Sequence, residues 1–242
     1  MPQLIHLHET ASTNRYLQKW ADTGEPESES VVITDFQTAG RGQPGNQWES
    51  ESGKNLTFST LLYPVHFTAQ QPFLITELAA LSVKYTLDHY VPDITIKWPN
   101  DIYWKDKKIC GILIENEITG NFITRSIIGI GMNLNQQTFH SGAPNPVSLT
   151  QITGRSCDRM EALDRWRSIF HPLYQQLESG ETEQFHQNYM SALYRREGFH
   201  AYQDAEGRFE ARIHHIELSG HLTLERRNGA LSRYAFKEVQ FF

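Results

Sequence analysis

Between Ile94 and Asn133 the chain doubles back repeatedly, through links too short for anything but antiparallel neighbours. Ile94 to Trp98 reads as a strand stopped by Pro99-Asn100-Asp101, and Asp106-Lys107 and Gly120-Asn121 then mark two consecutive hairpins. The β-branched run Val31 to Phe36 and the segment Asn55 to Leu62 predict further strands, and His6 and His8 alternate along one more. Helices punctuate this pattern. Ser12 stands as an N-cap whose hydroxyl can accept from a free backbone N–H, before Tyr16, Leu17 and Trp20; Gly24 and Pro26 end that helix. Pro72 suits the first position of a helix to about Tyr90, with Leu74, Leu78, Leu81 and Tyr85 facing inward. Asp158 to Glu161 form a capping box opening a helix to about Gly180, and another spans Glu181 to Arg196. From Gly198 the pattern changes to short alternating segments at 207–216, 219–226 and 230–241, split by turn signals such as Asn228-Gly229. The expected architecture is mixed helix and sheet over residues 1–195, followed by a small all-β module over 196–242.

Composition narrows the classes of function. With 22 basic and 28 acidic side chains the net charge is −6, which argues against a general basic surface for nucleic acid. The 39% hydrophobic and 12% aromatic content argues against disorder. The two cysteines, Cys110 and Cys157, lack a CxxC spacing, so neither a disulfide scaffold nor a cysteine zinc site is expected. The eleven histidines show no HExxH or other paired helical spacing, and no protein-held metal is expected. There is no basic leader with an apolar run, and no stretch near the roughly 18 apolar residues of a membrane span. The expected location is the cytoplasm, with no membrane partner.

Three segments carry chemistry. Gly40-Arg41-Gly42-Gln43-Pro44-Gly45-Asn46-Gln47-Trp48 follows a strand, and its glycines let backbone N–H groups converge on an anion beside the planar donor fork of Arg41. It is neither a Walker loop nor a dinucleotide fingerprint, and a flexible surface loop would read the same. In Lys97-Trp98-Pro99-Asn100-Asp101 an ammonium sits in an apolar strand, where Asp101 or a bound anion would relieve its desolvation; Lys108 follows a turn, where solvent is the plain alternative. In Gly129-Ile130-Gly131-Met132-Asn133, strand glycines mark close backbone approach, and Asn133 offers either a turn or the paired donor and acceptor that an adenine edge needs.

In this order the segments resemble the bacterial biotin–protein ligases. The resemblance rests on Ser12-Thr13-Asn14, Gln37, the loop Gly40 to Trp48, Lys97 to Asp101, Lys108 with Gly111-Ile112-Leu113, and Gly131-Met132-Asn133, over residues 5 to about 190. It implies an α+β fold: a mixed, largely antiparallel sheet with flanking helices, akin to the class II synthetases, plus an SH3-like β-barrel at the C-terminus. It further implies that ATP and Mg²⁺ convert biotin to biotinyl-AMP, and that biotin then passes to a lysine of a carboxylase's biotin carboxyl carrier domain. Arg41 and Lys108 would be catalytic. Ser12, Thr13, Asn14, Gln37, Gly40, Arg41, Gly42, Gln43, Lys108 and Gly111 would bind biotin. Arg41, Trp48, Asn100, Lys108 and Asn133 would bind ATP or the adenylate, with a core role for Trp48 as the alternative.

Because the biotin carboxylate is already ionised, the first step needs cations and oriented N–H dipoles more than a base. Many members carry arginine at the position of Gln43 and another basic residue near Asn46, so the resemblance implies a looser hold on the adenylate here. Lys237 stands where a glycine is common. Regulatory members carry a DNA-reading head, for which this chain leaves no length, so no DNA partner is expected. Some members pair sheet edges into homodimers and others act alone. The rival readings are a lipoate or octanoate ligase or transferase, and a non-catalytic biotin-responsive module.

Overall fold

Alternating strand runs and hairpin signals close into two sheets in a computed structural model that describes residues 2–43, 45–141 and 145–242; Pro44 of the glycine loop lies outside the described residues. In chain order the first elements are β1 (Leu4–Thr10), α1 (Thr13–Thr23), β2 (Val31–Gln37), β3 (Leu56–Leu62), α2 (Phe73–Asp88) and β4 (Ile94–Lys97). There follow β5 (Asp101–Trp104), β6 (Lys107–Thr119), β7 (Phe122–Met132), α3 (Leu149–Thr153), α4 (Arg159–Glu178) and α5 (Thr182–Ser191). The C-terminal part holds β8 (His200–Asp204), β9 (Gly207–Ile216), β10 (Leu222–Arg226), β11 (Leu231–Tyr234) and β12 (Gln240–Phe241).

The first sheet has seven strands in the order β1-β2-β3-β7-β6-β5-β4. Only β1 and β2 run parallel, joined through α1, and every other pair is antiparallel. This is the mixed, largely antiparallel sheet expected. The second sheet has five antiparallel strands in the order β11-β10-β9-β8-β12. This small antiparallel β unit stands where an SH3-like β-barrel was expected, with β11 and β12 at the two ends of its strand order. Among the described residues no helix is long and apolar enough to cross a membrane.

Several local expectations shift for identifiable reasons. Ser12 occupies the N-cap of α1, but its side chain makes no capping bond. Gln37 Oε1 does that work instead, accepting from Thr13 N at 2.8 Å and from Thr13 Oγ1 at 3.2 Å. α2 is buried well beyond the expected stripe, including Ile75, Ala79, Ala80 and Val83, because it lies between the sheet and α4 with α5 alongside. α5 stops at Ser191, short of Arg196, because the next residues join an edge strand. Ile96 N donates to Ala192 O and Tyr194 N donates to Ile96 O, each at 2.8 Å, which covers the outer edge of β4. α3 was not anticipated, although Ser148 and Gln151 form a reciprocal capping box. The C-terminal strands begin earlier than expected, at His200, and the segment 230–241 breaks into β11 and β12.

One buried cluster runs from Phe58, Leu78 and Trp166 through Phe185 and Tyr189 to Tyr202, Ile213 and Leu224 of the second sheet. Trp98 Nε1 donates to Gly220 O at 2.9 Å, tying the two sheets at the turn after β4. Within this cluster His186 Nδ1 meets Glu77 Oε1 at 2.6 Å. Burial pushes the Glu77 carboxyl above its ordinary value, and the hydrogen bond to Glu77 raises that of His186 above 6.5. Each group therefore holds its proton more readily in the folded chain than it would free in water. The stability that protonated His186 contributes is full below pH 6.5 and is lost as pH rises through the folded value. A Tm that declines with rising pH above 6.5 is expected for the wild type, with a flatter profile in His186→Gln; matching profiles would refute the assignment.

Candidate active site

The strand ends that carry the sequence motifs surround one cleft of about 950 Å³. Ser12, Thr13, Asn14, Gln37, Arg41, Gly42, Gln43, Trp48, Asn100, Lys108, Gly111 and Asn133 all line it. Gly40 is not among the lining residues. It packs at the loop's base, where Trp48 N donates to its carbonyl at 3.0 Å and a Cβ would fall 2.5 Å from Trp48 O. The loop itself is a tight hairpin: Arg41 pairs with Gln47, and Gly42 N donates to Asn46 O at 3.1 Å.

The floor is glycine because large groups lie flat upon it. Gly111 of β6 and Gly131 of β7 are register partners. A Cβ at Gly131 would come within 2.3 Å of Trp48 Cε2, and one at Gly111 within 2.8 Å of Trp48 Cζ3. The Trp48 indole thus sits across the pair as a half-buried wall of the cleft, with its Nε1 buried and without a partner. At Gly129 a Cβ would lie 2.2 Å from Asn14 Oδ1.

The β2–β3–β7 end of the cleft is polar and uncharged. Thr13 and Asn14 are buried at the start of α1. The Ser59 hydroxyl lies 2.7 Å from Thr13 Oγ1 and 2.5 Å from Asn14 Oδ1, with one proton to share between them. Such a set of fixed donors and acceptors suits a neutral polar ring. Asn133, beyond the end of β7, keeps a buried Oδ1 with no partner, an acceptor open to a donor from a ligand. Asn100 is 4% exposed and donates through Nδ2 to Ile112 O at 3.0 Å, so it pins the Pro99–Asn100 turn to β6 as well as lining the cleft.

Cations occupy the middle and the β4 end. Lys108, for which solvent was an alternative, points into the cleft and pairs with Asp101 at 2.6 Å. Asp101 is therefore not the ion-pair partner of Lys97, contrary to one of the two expectations; Lys97 Nζ instead lies 3.1 Å from Tyr103 Oη. Arg41 is gripped by a residue that sequence reasoning passed over. Glu115 accepts from Arg41 Nη1 at 3.0 Å and Nη2 at 2.7 Å, and from Asn14 Nδ2 at 2.7 Å. One carboxylate thereby joins the Ser-Thr-Asn start, the glycine loop and β6. The available signal was an acid, Glu115, closing the apolar run that begins at Gly111.

Two further contributions escaped the sequence. Glu49 accepts from His140 N and Ser141 N at 2.9 and 2.6 Å. Burial raises the Glu49 carboxyl, but these hydrogen bonds outweigh it and hold the group below its ordinary value. The C-terminal residues Phe236, Lys237, Gln240, Phe241 and Phe242 also line the cleft. Lys237 has φ of +74°, a conformation that favours glycine and agrees with the residue common at this position.

A mixed sheet with a glycine floor, a neutral polar end and a cationic end frames the cleft, and proteins of known structure share this fold. The biotin protein ligase of Aquifex aeolicus, solved in complex with biotin and ATP, superposes with a TM-score of 0.81 at 25% identity over 100% of both chains. Residues 7–133 match the Biotin/lipoate A/B protein ligase family. The chain belongs to that family. It is 33% identical over 177 residues to the bifunctional ligase/repressor BirA of Bacillus spizizenii, covering 71% of this chain and 53% of that protein. It is 31% identical over 154 residues to the biotin–[acetyl-CoA-carboxylase] ligase of Paracoccus denitrificans, covering 61% of this chain and 64% of that one. The chain thus spans about half the length of the Bacillus relative it matches.

Proposed function

We propose that this protein is an ATP-dependent biotin–protein ligase, which makes biotinyl-AMP and transfers the biotinyl group to a lysine of a carboxylase's biotin carboxyl carrier domain. The observation that carries the reading is the convergence of all the family-like motifs on one cleft, ordered from neutral polar groups to cations. ATP, with Mg²⁺ carried by its phosphates, and biotin are the substrates of the first step. A biotin carboxylate oxygen attacks the α-phosphorus, the bond to the β-phosphate oxygen breaks, and pyrophosphate departs. The acceptor's neutral amine then attacks the acyl carbon; the bond to AMP breaks and the amine sheds a proton.

In this reading Ser12, Thr13, Asn14 and Gln37 hold biotin's polar ring. Arg41 and Lys108 neutralise the meeting of carboxylate and phosphate, where charge stabilisation is the main demand. Asn133 Oδ1 accepts from the adenine amine, and Trp48 walls the nucleotide. Gln43, in the position of a common arginine, leaves Arg41 as the cation of the loop 40–48. Residues 1–195 form the catalytic unit and 196–242 a β module that closes the cleft, working in the cytoplasm with ATP and the carrier protein.

The deciding experiment supplies labelled biotin and a carrier domain with and without ATP, alongside lipoate and octanoate in a pyrophosphate-release assay. ATP-dependent label on the carrier lysine, and release with biotin far above the other two acids, is expected. Release with lipoate or octanoate alone would assign the chain to the other branch of its family, and binding without release would make it a non-catalytic module.

A further inference from the structure

Of the cations that line the cleft, Arg41 of the glycine loop and Lys108 of β6 are each answered by a carboxylate. Arg41 is held by Glu115 and Lys108 by Asp101, at 2.7 and 2.6 Å. Lys97 has no ion pair among the described residues. Its Nζ lies 3.1 Å from Tyr103 Oη, 4.9 Å from the centre of that ring and 5.4 Å from the centre of the Phe241 ring. Burial pulls the ammonium's pKa below its ordinary value, against the attraction of Asp101. A phenol and two ring faces replace only part of the hydration that an ammonium loses. The Lys97 side chain nevertheless opens on the cleft, so an anion entering there would find a desolvated charge waiting for it.

The order of strands says which anion. From β2 to β4 the sheet reads Gln37, then Gly129 and Gly131, then Lys108, then Asp101 and Tyr103, then Lys97. Five steps of strand spacing make this a track of about 24 Å. Under the proposed reaction the acid lies over the β2–β7 end, with its carboxylate at Arg41 and Lys108. Displacement at phosphorus is in line, so the leaving group departs on the side opposite the attacking oxygen. That side is the β5–β4 end, where Lys97 stands. The leaving group also takes most of the negative charge of ATP with it, whereas Lys108 is already paired with Asp101.

We propose that Lys97, with the Tyr103 hydroxyl beside it, forms the pyrophosphate subsite of this cleft, receiving the β- and γ-phosphates of ATP and the pyrophosphate they become. The proposal rests on the ligase reading for the direction of attack, but its test does not. Binding of inorganic pyrophosphate to the full-length chain is measured by calorimetry for the wild type, Lys97→Met and Lys97→Arg. Methionine keeps the apolar stem against Tyr103 and Phe241. It is expected to weaken pyrophosphate binding and raise the KM for ATP by about 10- to 100-fold, the size of one charge-assisted hydrogen bond. Arginine is expected to restore most of that loss. Transfer from chemically prepared biotinyl-AMP, which has no pyrophosphate to release, is expected to change by less than about twofold.

No pyrophosphate binding by the wild type, or equal binding by wild type and Lys97→Met, would overturn the subsite. So would a parallel fall of both half-reactions and of Tm in Lys97→Met, because that is the signature of a packing role. If wild type binds pyrophosphate through Lys97 yet activates no biotin, the subsite stands and the ligase reading fails.

Discussion

Lys108→Ala is expected to slow biotin-dependent pyrophosphate release by about 10²- to 10³-fold, the usual loss when one preorganised charge-stabilising group is removed from a site. The size follows from position. Lys108 sits on β6 at the middle of the track, its Nζ 2.6 Å from Asp101, where the proposed reaction would bring carboxylate and α-phosphate together. Two anions approaching each other there gain most from a cation that is fixed before they arrive. The fold should survive, because the Lys108 side chain is 23% exposed and Asp101, at 32%, can rehydrate when left alone. Most of the loss is expected in kcat, with a smaller change in biotin affinity, since the neutral polar end is untouched. Steady-state kinetics with a Tm check decides it. A kcat within about tenfold of wild type would remove Lys108 from the catalytic group.

Gly131→Ala should be nearly as damaging, through a different cause. The added Cβ would stand 2.3 Å from Trp48 Cε2, well inside contact distance, and the opposing Gly111 leaves the indole no gap on that side. Backbone strain is not the issue, because Gly131, next to the last residue of β7, is a paired strand residue and is not among the glycines with positive φ. The indole must lift, and the glycine loop it anchors must lift with it, carrying Arg41 away from its seat. A fall in kcat/KM of about 100-fold for both biotin and ATP is expected, comparable to misplacing a reacting group by about 1 Å. The double variant Gly131→Ala, Trp48→Ala should recover the Tm lost by the single one, because the clash is gone, without recovering activity. Wild-type kinetics in Gly131→Ala would show that the indole does not need its place on the floor.

Much of the site was legible because its motifs are local. The loop from Gly40 to Trp48, the run Lys97 to Asp101 and the pair Gly131 and Asn133 each hold their residues within ten positions, and a strand or turn delivers such neighbours to one end of an element together. What could not be read was which distant partner each would meet. Glu115 lies 74 residues from Arg41, and nothing in either local segment names the other. Asp101 is close in sequence to both lysines. Strand pairing decides between them: Asp101 and Lys97 are direct register partners on β5 and β4, yet the ion pair forms with Lys108, on the other side of β5. Gln37 was read as a ligand residue, and its capping bond to Thr13 emerges only when the end of β2 is set beside the start of α1.

The C-terminal segment makes the same point over a longer range. Turn signals predicted β strands there, but nothing in residues 236–242 says that they close over Lys97. That contact follows from β12 pairing with β8 and from the second sheet docking on the first through Trp98 and Gly220. The sequence by itself determined most of the elements, the hairpins of the central strands and the chemical types assembled at the site, because propensity, turn chemistry and hydrophobic period act over a few residues. The tertiary structure alone decided how the charges are partnered: Arg41 with Glu115, Lys108 with Asp101, Lys97 left to a phenol and two rings. Electrostatic pairing depends on distances of a few ångströms between groups far apart in the chain, and only the register of strands in the folded sheet sets those distances.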